Sequence, residues 1–158
     1  MKRLRLLLVI ALFEMAIAAC SAPTNSESQA FTPLNVTILQ KGFYTVSGKP
    51  EKKTRQTINN QADYSLVMAG YTATDLKLIP FETNQVLFFS IGGRSTGGYD
   101  IKIISAIEGN NSIVIKLNLI EPGSTCMVTQ AFTHPYIALQ VPSLKKINVI
   151  ETNTINPC

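Results

Sequence analysis

Three cysteines and one histidine are the residues of this sequence best suited to metal binding or nucleophilic chemistry: Cys20, Cys126, Cys158 and His134. A zinc site needs three or four such ligands, and a nucleophile needs a base beside it. His134 is the sole histidine, and the nearest upstream serine, Ser124, is not part of a nucleophile elbow. We therefore predict no catalytic residue, no metal, no cofactor and no enzymatic activity, and we interpret His134 as a turn or surface residue.

The first nineteen residues have the three-part layout of an export signal. Basic residues open the chain, an apolar run follows from 6 to 13, and small residues precede Cys20. The apolar run is much shorter than the roughly 20 residues that a membrane-spanning helix requires. Residues 1–19 are therefore predicted to be a signal peptide and not an anchor helix.

The residues around Cys20 indicate which kind of signal this is. The run Ile17-Ala18-Ala19-Cys20 resembles the lipobox of bacterial lipoproteins, in which the cysteine receives a diacylglyceryl group. Several acyl chains anchor a protein stably, so the resemblance implies a protein held in the bacterial cell envelope by its lipid. Ser21, instead of Asp, follows the cysteine, which resembles the default for delivery to the outer membrane of a cell with two membranes. An ordinary secretory signal cleaved after Ala19 remains the alternative.

The two other cysteines form an even pair once Cys20 is assigned to lipid. Exported proteins occupy oxidising compartments, where such pairs usually become disulfides. We predict a Cys126–Cys158 disulfide that ties the C-terminus to the domain and stabilises it by roughly 3 kcal/mol. Two free thiols are the alternative.

The charge of the chain argues against nucleic acid as a partner. The whole sequence carries +4, and removal of 1–19, with three basic residues and one acidic residue, leaves +2. Nucleic-acid binding requires clustered Lys and Arg on one face. The one local basic run, 49–55, also contains Glu51 and Pro50 and is interpreted as a solvated loop.

Composition divides the exported part into a lipidated flexible tether, 20–33, and a single β-rich domain, 34–158. The tether is too polar to bury a core, and the remaining length suits one domain. Short apolar or alternating runs predict strands at 35–40, 43–47, 86–91, 99–107, 112–120, 127–132, 136–141 and 147–151. Turns are predicted at Lys41-Gly42 and at 108–111.

One segment has helical spacing. Apolar residues at Ile58, Ala62, Leu66 and Ala69 predict a helix over 56–69. Asn60 is an available N-cap, and Gly70 follows the last turn. The predicted fold is mainly β (α+β), a β-sandwich or partly open barrel with one helix.

A glycine-rich segment between two predicted strands is the most distinctive local feature. Its sequence is Gly92-Gly93-Arg94-Ser95-Thr96-Gly97-Gly98-Tyr99. It is not a phosphate loop, because a strand follows it and no helix N-terminus is available to receive an anion. It is either a structural corner or a backbone loop that a partner contacts. The candidate contact residues are Arg94, Ser95, Thr96, Gly97, Gly98 and Tyr99.

The same region resembles a known family. The strand and glycine loop at 86–101, the hairpin, Glu121-Pro122-Gly123, the run 126–131 and Thr133-His134-Pro135-Tyr136 are similar to the PrcB C-terminal domain family. The likeness covers about 80–145. It implies an accessory subunit that supports a bacterial surface protease without being the protease, so the expected partner is a protein, with a protease as the candidate. The family has no catalytic residues to transfer.

Two further hypotheses stay open. The run Thr96-Gly97-Gly98-Tyr99 is similar to a loop of chagasin-type cysteine-protease inhibitors, although the chain has no tryptophan and lacks the accompanying motifs. Alternatively, the β core encloses a pocket for a small ligand or an envelope component. A deep apolar cavity would favour the second hypothesis, whereas a filled core favours protein binding.

Overall fold

The computed structural model describes residues 31–46 and 52–158. These residues form eight strands and one helix: β1 (Thr32–Pro33), β2 (Thr37–Gly42), β3 (Thr54–Ile58), α1 (Gln61–Met68), β4 (Gln85–Ser90), β5 (Asp100–Glu108), β6 (Ser112–Pro122), β7 (Tyr136–Val141) and β8 (Lys146–Asn156). The predicted signal peptide, the lipidation residue Cys20 and most of the predicted tether lie outside the described residues. In the part that is described, no helix has the length and apolar character needed to cross a membrane.

The strands form two sheets of four. The outer sheet has the order β1-β5-β6-β8, and the central sheet has the order β2-β7-β4-β3. All pairs are antiparallel except β6 with β8. Neither sheet closes into a barrel. The structure therefore confirms the predicted mainly β fold with one helix, in its sandwich form.

The main core lies between the two sheets. From the central sheet, Leu87, Phe89 and Leu139 point into it, and from the outer sheet every second residue of β6 does so, beginning with Ile113. Alternation follows from the two-residue period of a strand, which sends neighbouring side chains to opposite faces. The inward residues of β6 are almost completely buried, so burial of these aliphatic chains supplies most of the attraction between the sheets.

The other face of the central sheet carries a second core. Val86 and Phe88 pack there beneath Tyr64 and Met68 of α1, and the segment after the helix contributes Tyr71. All six residues of β4 are consequently buried. This double coverage explains why β4 is a continuous apolar run, and the strand confirms the one predicted at 86–91 to within one residue.

The helix has the predicted N-cap, but it is shorter than predicted and presents a different face. The side chain of Asn60 accepts a hydrogen bond from the backbone N–H of Asp63, with 2.8 Å between the atoms, which confirms the cap. The predicted start at 56 is wrong, because 56–58 belong to β3. The predicted apolar face is also wrong: Tyr64 and Met68 are buried, whereas Leu66 is 76% exposed. Tyr64 and Met68, and not Leu66, pack against Val86 and Phe88 of β4 in the second core.

Two predicted strands are wrong. The segment 43–46 is not a strand, because β2 continues through the predicted turn at Lys41-Gly42 to pair with β7. A Cβ on Gly42 would lie 2.7 Å from a ring carbon of Tyr136, so glycine permits close approach there and does not mark a turn. The segment 127–132 is irregular as well.

One strand, β3, was missed in the sequence and replaces part of the predicted solvated loop. Its residues Arg55, Gln56 and Thr57 are exposed, and only Ile58 is buried, so no apolar alternation marks it. Its backbone is held by antiparallel pairing with β4. The partner strand, and not its own sequence, makes this segment extended.

Both ends of the described fold differ from the sequence prediction. The strand β1 falls within the last residues of the segment 20–33 and pairs with β5, so the first strand of the described residues begins at Thr32. The strand β8 continues to Asn156 and runs parallel to β6. The structure supports the expected disulfide: Cys126 and Cys158 are bonded, with 5.5 Å between their Cα atoms.

Glu108 links the β5–β6 turn to the segment before β8. The Ser143 hydroxyl donates to its carboxylate over 2.7 Å, and Lys145 Nζ lies 3.1 Å from the same oxygen. Lys145 Nζ also donates to the carbonyl oxygen of Gly109 over 2.9 Å. The Ser143 hydrogen bond first, and then Lys145, lower the pKa of Glu108 below its ordinary value of 4.5.

This lowered pKa predicts a pH-dependent contribution to stability. The contribution is complete above the ordinary pKa of the unfolded chain and is lost as pH falls through the lower pKa of the folded state. Glu108→Gln should therefore reduce the free energy of unfolding in urea at about pH 7, and the difference from the parent should shrink towards about pH 3. The exposed Glu82→Gln is the matched control. A difference for Glu108→Gln that stays constant over this range would contradict the assignment.

Candidate functional site

The glycine loop connects β4 to β5 and is tied along its length to the segment that precedes β7. Arg94 and Thr133 exchange backbone hydrogen bonds of 2.8 and 2.9 Å. The Thr133 hydroxyl donates to the carbonyl of Thr96 over 2.7 Å, and the N–H of Gly97 donates to the carbonyl of Thr129 over 2.9 Å. These bonds pair backbone groups of Thr129 and Thr133 and so tie the irregular segment 127–134 to the glycine loop without a regular sheet partner.

Two glycines of the loop are required by its geometry. A Cβ on Gly97 would lie 2.3 Å from the Thr129 hydroxyl oxygen. Gly98 has a positive φ of 89°, and a Cβ there would lie 2.8 Å from a side-chain carbon of Val128 and 2.9 Å from one of Pro122. An L side chain fits neither position without movement. The structural-corner interpretation therefore accounts for these glycines, and only Ser95 and Gly98 of the six candidate residues are exposed.

Tyr99 and Arg94 close the loop on itself. The Tyr99 ring packs against the core between the sheets. Arg94 Cζ lies 5.3 Å from the centre of that ring, a distance at which the guanidinium is attracted to the aromatic face. The six residues Arg94 to Tyr99 thus form a packed unit, and the loop does not project as a free arm.

A surface cleft of about 340 Å³ lies beside this unit. Phe43 and Tyr44 line one side, the segment 97–100 lines another, and Thr129 and Thr133 complete it. Asp100 at its margin forms an ion pair with Lys41, 2.6 Å apart. The cleft brings together the end of β2, the glycine loop and the segment before β7, which are distant in the sequence.

Large apolar side chains are exposed on the segments that form the cleft. Tyr44 is 59% exposed, Phe132 is 65% exposed, and Phe43 and Met127 are also exposed. We call these four residues, three aromatic side chains together with Met127, the aromatic rim. Apolar side chains grouped on one surface are typical of interaction sites, whereas single exposed ones are ordinary. The sequence analysis missed the rim because it assigned 43–47 and 127–132 to strands. The neighbouring residues Phe43 and Tyr44 were the available signal against a strand. Adjacent strand residues face opposite sides of a sheet, so a strand could not direct both rings into the same core.

His134 lies next to this region but is not a surface residue. It lies in irregular backbone just before β7, and its side chain is only 1% exposed, so the surface interpretation is wrong. Its backbone N–H donates to the Phe43 carbonyl over 2.6 Å, which draws the residue under the 43–46 segment. Its Nε2 is buried without a hydrogen-bond partner, as is Nε of Arg94. Across 31–46 and 52–158, no three His, Cys, Asp or Glu side chains are placed to hold a metal ion together.

Comparison with known families identifies the part of the chain that forms this site. Residues 85–142 match the family model described as PrcB C-terminal. The segment from β4 through β7 therefore matches the PrcB C-terminal family model, in agreement with the resemblance seen in the sequence. Searches of curated proteins and of solved structures found no match to the chain. The matched segment contains the glycine loop and Phe132, whereas Phe43 and Tyr44 come from outside it.

The backbone of Gly98 gives a direct test of the corner. Gly98→Ala should lower the free energy of unfolding in urea by about 1–3 kcal/mol, because alanine is strained at positive φ and its Cβ meets Pro122. Ser95→Ala, an exposed change in the same loop, should stay within about 0.5 kcal/mol of the parent. A Gly98→Ala protein as stable as the parent would show that the corner is not held in this geometry.

Proposed function

We propose that the chain is a non-enzymatic accessory lipoprotein of the bacterial cell envelope that binds an extracytoplasmic protease through the cleft and its aromatic rim. The observation that carries the proposal is the position of the rim. The glycine loop and the exposed Phe132 lie within the segment that matches the PrcB C-terminal family model, and the exposed Phe43 and Tyr44 line the cleft beside that loop.

The chemistry of the rim suits a protein partner. Aromatic side chains bury large areas with few rotatable bonds, and they account for much of the binding energy at protein interfaces. Tyr44 adds a hydroxyl that can donate or accept a hydrogen bond at the edge of such an interface. The hydrogen bonds between the loop and 129–133 hold the cleft in one shape, so little entropy is lost when a partner docks.

The shape of the loop favours docking over insertion into an active site. An inhibitor wedge must project from its scaffold, but Gly97 is buried and Tyr99 is packed on the core. The resemblance of Thr96-Gly97-Gly98-Tyr99 to a chagasin-type loop is therefore the weaker alternative. Stabilisation of the protease through a broad contact fits the packed loop better than blockage of its catalytic cleft.

The other functional hypotheses have less support from the residues described. His134 is the conventional base that the sequence offers, and its buried side chain cannot reach a substrate at the surface, which supports a non-enzymatic role. A small-ligand site at the centre of the sandwich is disfavoured because the buried residues of the two sheets pack against one another there.

The location of the protein is part of the proposal. Lipidation at Cys20 would hold the chain on a membrane, and the polar tether would let the domain reach a partner some distance away. The Cys126–Cys158 disulfide suits an oxidising compartment. Delivery to the outer membrane is proposed for a cell with two membranes.

Photocrosslinking tests the binding face. A benzophenone amino acid placed at Tyr44 or at Phe132 of the full chain should give an adduct with one envelope protein in intact cells, and mass spectrometry should identify it as a protease subunit. The matched control is Ile104, an exposed apolar residue on β5 of the outer sheet, which should give no such adduct. Tyr44→Ser and Phe132→Ser should each weaken binding of the identified partner by about tenfold or more. Adducts that are absent, or equally strong from Ile104, would refute the proposed face.

Fractionation tests the anchor. The full chain should incorporate labelled fatty acid and sediment with membranes, whereas Cys20→Ser should lose the label and leave the membrane fraction, because the thioether bearing the acyl chains cannot form. Immunoblotting of membrane and soluble fractions measures the shift. An unlabelled parent that is soluble in the exported compartment would instead support an ordinary secretory signal cleaved after Ala19.

A further inference from the structure

The sandwich is open along one side, where an edge strand of each sheet lies. The strand β8 ends the outer sheet and β3 ends the central sheet. Among the described residues, each of these strands pairs on one side alone. An edge strand presents a row of unpaired N–H and C=O groups to which another extended chain can bond. At eleven residues, β8 is also unusually long for an edge.

A groove of about 690 Å³ runs between these two strands. Arg55 and Thr57 of β3 line one wall, Ile147 and Val149 of β8 line the other, and the buried Leu87 lies at its floor. Beyond Val149, an ion pair between Lys53 and Glu151 joins the two strands. The groove is therefore a defined slot that reaches the edge of the core.

The two walls differ in chemistry because the core is incomplete here. Ile147 and Val149 point towards the space between the sheets but are only partly buried. Opposite them, Arg55 and Thr57 pair with Phe89 and Leu87, so they occupy positions that face the outer sheet and would be apolar in a filled core. Additional apolar side chains placed in the groove would remove more of Ile147 and Val149 from water.

The charge of the groove specifies what it would receive. Its charged lining residues are Arg55 and Lys146, and neither forms an ion pair with a described residue. The nearby carboxylate of Glu151 is already engaged by Lys53. An incoming chain with a carboxylate would find two cations that no carboxylate among the described residues pairs with, whereas a basic chain would be repelled.

We propose that this groove binds an extended acidic segment of a partner protein as an additional strand beside β8. Backbone hydrogen bonds to the free edge of β8 would supply affinity, as in other cases of strand addition. Aliphatic side chains of the segment would contact Ile147 and Val149, and a carboxylate would pair with Arg55 or Lys146. The groove involves neither the glycine loop nor the aromatic rim, so this inference stands independently of the proposed function.

Two other occupants fit the groove less well. The chain's own segment 21–30 has few aliphatic residues, and it leads into β1 at the opposite edge of the outer sheet from β8. A second copy could pair β8 with β8, but it would bring two further cations, Arg55 and Lys146, towards the same edge. An acidic partner segment satisfies both the hydrogen-bonding edge and the charge.

Synthetic peptides test the proposal on the purified full chain. The probe is a peptide of about nine residues that alternates valine and threonine around a central glutamate, long enough for one strand. It should bind in fluorescence anisotropy and slow hydrogen exchange at β8 amides by about tenfold or more. A peptide with lysine in place of glutamate should bind at least about tenfold more weakly. Two further peptides carry N-methyl groups, one on the odd-numbered and the other on the even-numbered residues. One of them should lose binding and the other should keep it, since a strand directs every second N–H to the same side.

Variants of the protein locate the site. The double change Arg55→Glu and Lys146→Glu should weaken acidic-peptide binding by about tenfold or more, and Lys102→Glu, an exposed change on β5, should alter it by less than about twofold. Urea unfolding of each variant excludes loss of folding as the cause. The proposal is overturned if no peptide binds, or if the acidic and basic peptides bind alike. It is also overturned if β8 amides are protected from hydrogen exchange without peptide and this protection rises with protein concentration, because a second copy would then occupy the edge.

Discussion

Both faces of the β4–β7 pair are covered by side chains, with the core between the sheets on one side and the helix layer on the other. Backbone groups at such depth must be paired, so the ladder from Gln85–Val141 to Ser90–Tyr136 allows little freedom of register. That register determines where the chain leaves β4 and where it enters β7. The glycine loop and the 127–134 segment meet because these two strand ends are adjacent.

The glycine loop and the 127–134 segment together supply both a rigid framework and the surface proposed to bind a partner. Gly97 and Gly98 allow the loop backbone to approach 128–129 closely, and the resulting contacts hold the irregular segment that carries Phe132. The glycines are therefore structural, while the surface available to a partner comes from the side chains around them. A fixed framework with apolar groups at its margin is what a protein-binding site requires.

The two open sides of the sandwich differ in the side chains that lie between the edge strands. Next to β1 and β2, the ion pair between Lys41 and Asp100 connects the two sheets beside the cleft. Next to β3 and β8, the sheets are joined by Lys53 and Glu151, and the groove beyond them is lined by incompletely buried aliphatic groups and two cations. The polar residues of β3 that face the outer sheet leave room for another chain. The molecule thus has two separate surfaces suited to protein contact, one aromatic and one based on a strand edge.

The sequence alone determined the features whose signals are local. The dense apolar run of β4, the β5–β6 hairpin, β7, the Asn60 cap and the family resemblance were all readable, because each depends on residues near one another in the chain. Tertiary structure decided the rest. The strand β3 exists because β4 pairs with it, and α1 turns Tyr64 and Met68 inward because they fit the space over β4. His134 is buried because the 43–46 segment lies across it. The aromatic rim and the groove combine segments distant in sequence, and only packing of the two sheets brings those segments together.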